Sequence, residues 1–129
     1  PPARAGPGGG RRVLVVEDAE GYAMLLSRAF EAAGCRVQTA PTVAAARAAL
    51  AAGACDLLLA DLHLPDGSAA DVLEAAVHPG TCRIVMSADL DDGGSLPAGA
   101  HHRVAKGADV GLLVDRVLML AAEHSAATA

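Results

Sequence analysis

The dominant constraint in this sequence is a rhythm of short aliphatic runs separated by stretches of helical length. Residues 12–16 hold Val13, Leu14, Val15 and Val16 in succession, and residues 56–60 hold Leu57, Leu58 and Leu59. Apolar runs without polar alternation are what strands need when both faces of their sheet are covered. Further strands are read at 35–39, at 82–86 and, more weakly, at 103–105. Amphipathic helices lie between them. The first puts Tyr22, Leu25, Leu26, Ala29, Phe30 and Ala33 on one face and stops at Gly34. The second is capped by Thr42, turns Val43, Ala46 and Leu50 inward, and ends near Ala52 at Gly53. The third follows Gly67 and Ser68, with Val72, Leu73, Ala76 and Val77 on one face, and is broken by Pro79-Gly80. The last opens at Asp109 and carries Val110, Leu113, Val114, Val117, Leu118 and Ala121 in register.

This alternation predicts an α/β fold: a doubly wound, five-stranded parallel sheet with right-handed crossovers. Residues 89–100 contain three Asp, three Gly and one Pro, so the fourth helix is expected to be short or missing. Residues 1–10 read as a flexible Pro/Gly linker, 11–122 as the domain and 123–129 as a frayed tail.

Composition narrows the function. The chain has 129 residues, 53% hydrophobic, enough for one core. A net charge of −5 argues against a nucleic-acid surface, which needs a basic face. No apolar run is long enough to span a membrane. Cys35, Cys55 and Cys82 have neither disulfide nor zinc spacing and read as buried, inert thiols in a reducing cytoplasm. Aromatic residues are 2%, which leaves little for stacking on bases or sugars. Lys106 is the only lysine beside nine arginines, which marks it for a particular task.

In doubly wound sheets, ligands bind at the carboxyl ends of the strands. Glu17 and Asp18 follow the first strand, Asp61 and His63 the third, Ser87 the fourth and Lys106 the fifth. Clustered carboxylates suit a hard divalent cation such as Mg²⁺. A carboxylate beside such an ion can attack phosphorus, and a hydroxyl and an ammonium can then receive the phosphoryl oxygens. Taken singly, each is as readily a helix cap or a turn residue; the order at successive strand ends is what carries the reading. His101-His102 and Asp91-Asp92 read as exposed loop pairs, and Pro65-Asp66-Gly67 as a turn.

The segments VLVVED (13–18), LLLADLHLPDG (57–67), IVMSA (84–88) and VAKG (104–107) resemble response-regulator receiver domains of two-component signalling. The resemblance covers about residues 11–122 and implies the flavodoxin-like strand order 2-1-3-4-5. It implies Asp61 as phosphoacceptor, Asp18 as a direct Mg²⁺ ligand, Glu17 acting through water and the His63 backbone carbonyl as a further ligand. Ser87 would follow the phosphoryl group and Lys106 would pair with it. The donor would be a phosphohistidine on a histidine kinase or histidine phosphotransfer protein, and the output a switch in protein–protein interactions. The chain departs from the family at Gly107, where a proline is usual, and at Arg103, where an aromatic is usual. Asp89, two residues past Ser87, stands where such domains tune attack of water on the phosphoryl group. A C-terminal receiver of a hybrid sensor kinase and a single-domain regulator are both compatible with the sequence. The competing reading is a receiver-like scaffold that is never phosphorylated. An aspartate-nucleophile phosphatase is disfavoured, because His63 replaces the second acid such enzymes use.

Overall fold

The computed structural model describes residues 9–88 and 96–128. The elements run β1 (Arg12–Val16), α1 (Glu20–Ala32), β2 (Arg36–Ala40), α2 (Val43–Ala52), β3 (Leu57–Asp61), β4 (His63–Leu64), β5 (Gly67–Ser68), α3 (Ala69–Leu73), β6 (Cys82–Ser87), β7 (His102–Ala105) and α4 (Val110–Thr128). Five strands form one parallel sheet in the order β2-β1-β3-β6-β7. This is the expected doubly wound arrangement, with β6 and β7 as its fourth and fifth strands. The two-residue strands β4 and β5 form a small antiparallel hairpin outside that sheet.

The unbroken aliphatic runs have a direct structural cause. Val13, Val15, Leu57, Leu59, Ile84 and Met86 face one core together with Leu26 and Phe30 of α1 and Leu113, Val114, Val117 and Leu118 of α4. Leu14, Val16, Leu58, Ala60 and Val85 face a second core with Val43 and Ala46 of α2 and Val72 and Leu73 of α3. Successive side chains on a strand point to opposite faces, so a strand covered on both sides is apolar at every position.

Capping follows the sequence closely in two places. Thr42 Oγ1 accepts the Ala45 N–H at 3.0 Å at the start of α2. Gly34, with φ of +96°, ends the turn after α1.

Three expectations are corrected. The third helix stops at Leu73, so Ala76 and Val77 do not extend its inner face. Ala76 is buried from a turn, while Val77 is 82% exposed. The final helix continues to Thr128 where a frayed tail was expected. There the Ser125 hydroxyl donates to the Ala121 carbonyl, and the His124 ring lies 4.3 Å from that of His101. At the other end Gly9 and Gly10, assigned to the linker, form a turn, and the Gly10 N–H donates to the Gly34 carbonyl at 3.0 Å. The rest of the expected linker, together with Asp89, Asp91 and Asp92, lies outside the described residues.

Between β6 and β7 no described residue is helical. The chain instead makes a turn at 97–100, closed by the Ala100 N–H on the Pro97 carbonyl, with Gly99 at φ of +91°. Gly99 allows that left-handed backbone without steric cost.

Candidate functional site

The carboxyl edge of the sheet gathers the acids. Glu17 follows β1 and is 2% exposed. Its backbone N–H donates to the Ala40 carbonyl of β2, and its Oε2 accepts the Ala19 N–H at 3.0 Å. Asp18 is exposed beside it. Asp61 is the last residue of β3 and is 8% exposed. Carboxylate oxygens of Glu17, Asp18 and Asp61 lie within 4.8 Å of one another. His63 is exposed, and its backbone N–H donates to Asp61 Oδ1 at 3.2 Å.

Lys106 enters this cluster from the end of β7. Its Nζ lies 2.5 Å from Glu17 Oε1 and 3.0 Å from Asp61 Oδ2. The Lys106 N–H donates to the Ser87 carbonyl, which continues the β6–β7 ladder to the edge. Met86 is the register partner of Asp61 on β6, so Ser87 comes one residue beyond it, buried at 1% exposure. The structure thus brings Glu17, Asp18, Asp61, Ser87 and Lys106 to one edge.

Burial pushes the Glu17 carboxyl above its ordinary value, and the Asp61 charge adds to this, against the Lys106 and Ala19 hydrogen bonds. Burial disfavours the Lys106 ammonium, but its hydrogen bonds to Glu17 and Asp61 outweigh that and raise its pKa. Three carboxylates face one ammonium within a few ångströms. That excess of negative charge fits one hard divalent cation with oxygen ligands.

Three residues here make contacts that were not foreseen. Tyr22 read only as a core-facing residue of α1. Its ring lies 4.9 Å from Lys106 Nζ, a cation–π distance, and its hydroxyl donates to the Gly107 carbonyl at 3.2 Å. Arg103 Nη2 donates to Ser87 Oγ at 3.3 Å. Asp66, read as a turn residue, caps α2 from outside that helix: its carboxylate accepts the Val43 N–H at 2.7 Å and the Ala44 N–H at 3.0 Å. Residue types hinted at none of these, because each joins segments far apart in sequence.

A second cluster, Cys82, His101 and His124, has donor atoms within 4.8 Å of one another at the opposite end of β6. It overturns the exposed-pair reading of His101-His102, since both residues are half-buried. Its chemistry disfavours a cation. His101 Nδ1 already accepts the Arg83 N–H at 2.9 Å, and Arg83 Nη2 lies 3.3 Å from His101 Nε2. Burial pushes the Cys82 thiol up to about 11, far from the thiolate a metal needs. The guanidinium of Arg83 also donates to the Gly99 and Ala76 carbonyls, so this group pins the 97–100 turn to the sheet.

A five-stranded doubly wound sheet with acids and a lysine at its carboxyl edge defines a flavodoxin-like α/β receiver. Residues 13–118 match the response regulator receiver domain, and the chain belongs to that family of two-component signalling domains. It is 32% identical over 121 residues to the KDP operon transcriptional regulatory protein KdpE of Escherichia coli K12, covering 91% of this chain and 54% of that protein. The chain therefore spans about half the length of that relative. Among solved structures it is similar to a CheY-like receiver domain protein of Methanospirillum hungatei JF-1, with a TM-score of 0.78, 24% identity and coverage of 91% and 98%. It is also similar to response regulator TrrA of Thermotoga maritima in complex with Mg²⁺-BeF, with a TM-score of 0.75, 24% identity and coverage of 85% and 98%. No helix among the described residues is long and apolar enough to cross a membrane.

Proposed function

We propose that this domain accepts a phosphoryl group on Asp61 from a phosphohistidine of a histidine kinase or histidine phosphotransfer protein, and thereby switches protein–protein contacts in the cytoplasm. The observation that carries the reading is the placement of Lys106 between Asp61 and buried Glu17, with Asp18 in reach. Lys106 neutralises part of the acid cluster and orients the Asp61 carboxylate, whose other oxygen is fixed by the His63 N–H. A carboxylate oxygen of Asp61 would attack phosphorus. The P–N bond to imidazole would break, and the leaving ring would keep the bonding electron pair and take a proton. Charge on the new acyl phosphate needs cations and donors nearby. Lys106 and the Ser87 hydroxyl are the groups this chain offers for it. Glu17, Asp18, Asp61 and the His63 carbonyl would hold Mg²⁺, which supplies charge against the phosphoryl oxygens. The resemblance to a Mg²⁺-BeF complex supports that assignment.

The test is intact-protein mass after incubation with acetyl phosphate and Mg²⁺. Wild type should gain one phosphoryl group and Asp61→Asn none. Folded wild type that neither gains mass nor binds Mg²⁺ would instead indicate a receiver-like scaffold, the reading that Arg103 and the lack of a helix among the described residues between β6 and β7 favour. Folded wild type that binds Mg²⁺ yet gains no mass would then be offered a phosphohistidine donor.

A further inference from the structure

Arg103 occupies a position from which it can act on the phosphoryl site without touching it. It stands on β7 opposite Val85, whereas Ser87 stands opposite Ala105. The long arginine side chain spans that offset along the sheet, and its Nη2 reaches Ser87 Oγ at 3.3 Å. Lys106 contacts Asp61 and Glu17 directly, so the two cations approach the site by different routes.

The chemistry of the contact has one direction. A guanidinium can only donate, whereas a hydroxyl has one proton to give and two lone pairs to receive. In this contact Arg103 uses a lone pair of Ser87 and not its proton. Donation into Oγ polarises the O–H bond, so the hydroxyl becomes a stronger donor. Ser87 is 1% exposed, so water competes little for either bond. An aromatic side chain at position 103 has no guanidinium to donate in this way.

We propose that Arg103 is a positioning residue for phosphoryl retention. It orients and polarises the Ser87 hydroxyl, which then donates to a phosphoryl oxygen on Asp61. Positive charge thus reaches the acyl phosphate through a relay of two hydrogen bonds. This inference rests on the phosphoacceptor reading above.

The test measures affinity for beryllofluoride, a phosphoryl mimic, at saturating Mg²⁺, by calorimetric titration. Four proteins are compared: wild type, Arg103→Met, Ser87→Ala and the double variant. Methionine keeps an unbranched apolar stem, and unfolding midpoints verify that each variant folds. Arg103→Met should bind beryllofluoride roughly tenfold more weakly, the loss expected for one charge-assisted hydrogen bond. In the Ser87→Ala background the same substitution should change affinity less than about twofold, because the relay is already broken. Affinity for Mg²⁺ alone should not weaken in Arg103→Met, since that ion is held by the carboxylates. Unchanged beryllofluoride affinity in Arg103→Met overturns the proposal. So does an equal loss with and without Ser87, which would show that the arginine acts only through its field or through packing. Failure of wild type to bind beryllofluoride while binding Mg²⁺ would instead overturn the phosphoacceptor reading on which the proposal depends.

Discussion

At the scale of single residues, the chemistry centres on Lys106. Its ammonium is the partner of a Glu17 side chain with no solvent exposure, so removing it leaves a buried carboxylate without its cation. Lys106→Met is expected to destabilise the domain by up to about 3 kcal/mol when Mg²⁺ is absent. Added Mg²⁺ should recover much of that loss, because the ion can replace the missing charge; urea unfolding with and without Mg²⁺ measures both. Tyr22 offers a second reading of the same group. It is the only tyrosine, the chain has no tryptophan, and its ring lies 4.9 Å from Lys106 Nζ. Mg²⁺ with beryllofluoride should therefore change tyrosine emission in wild type. The change should disappear in Lys106→Met; a response that persists would separate Tyr22 from the site.

At the scale of elements, the segment after Asp61 both builds the site and clamps α2. Asp66 accepts two N–H bonds from the start of that helix, and Thr42 accepts a third. Thr42→Ala should cost about 1 kcal/mol in urea unfolding, the usual value of such a cap. The bonds from Val43 and Ala44 hold the Asp66 carboxyl below its ordinary value of 3.8. A carboxyl with a depressed folded pKa binds a proton less readily folded than unfolded. Its contribution is therefore complete above 3.8 and is lost as pH falls through the lower folded value. Asp66→Asn should remove that part of the acid-induced loss of stability, seen as a shallower decline of the unfolding midpoint below pH 3.8. Gly67 limits the same segment. A Cβ there would sit 2.5 Å from the Asp71 carboxylate oxygen that accepts the Ser68 N–H, so Gly67→Ala should loosen the start of α3.

At the scale of the whole molecule, stability rests on two aliphatic cores sharing one sheet. Leu59 has no exposure and faces the α1/α4 core from the central strand. Leu59→Ala is expected to cost about 2–5 kcal/mol. That is a large share of the roughly 5–15 kcal/mol that holds a domain folded. Thermal unfolding without added Mg²⁺ checks this, and the substitution changes no residue of the acid cluster.

What the sequence by itself determined was whatever depends on periodicity and order along the chain. Aliphatic runs of strand length separated by amphipathic helices implied a sheet covered on both faces, and strand ends located Glu17, Asp18, Asp61, Ser87 and Lys106. The Gly-, Asp- and Pro-rich stretch after β6 likewise argued against an ordinary fourth helix, and no described residue between β6 and β7 is helical. What only the tertiary structure decided was whatever depends on side-chain reach across the fold. Asp66 caps a helix 23 residues upstream, Arg103 meets Ser87 from a neighbouring strand, and Tyr22 reaches Gly107, 85 residues along the chain. His101 looked like half of an exposed pair until β6 and α4 came to pack beside it. The physical reason is the same throughout. Burial of apolar faces is periodic and so is written locally, whereas a hydrogen bond or ion pair needs two groups within about 3 Å of each other, which only the folded chain provides.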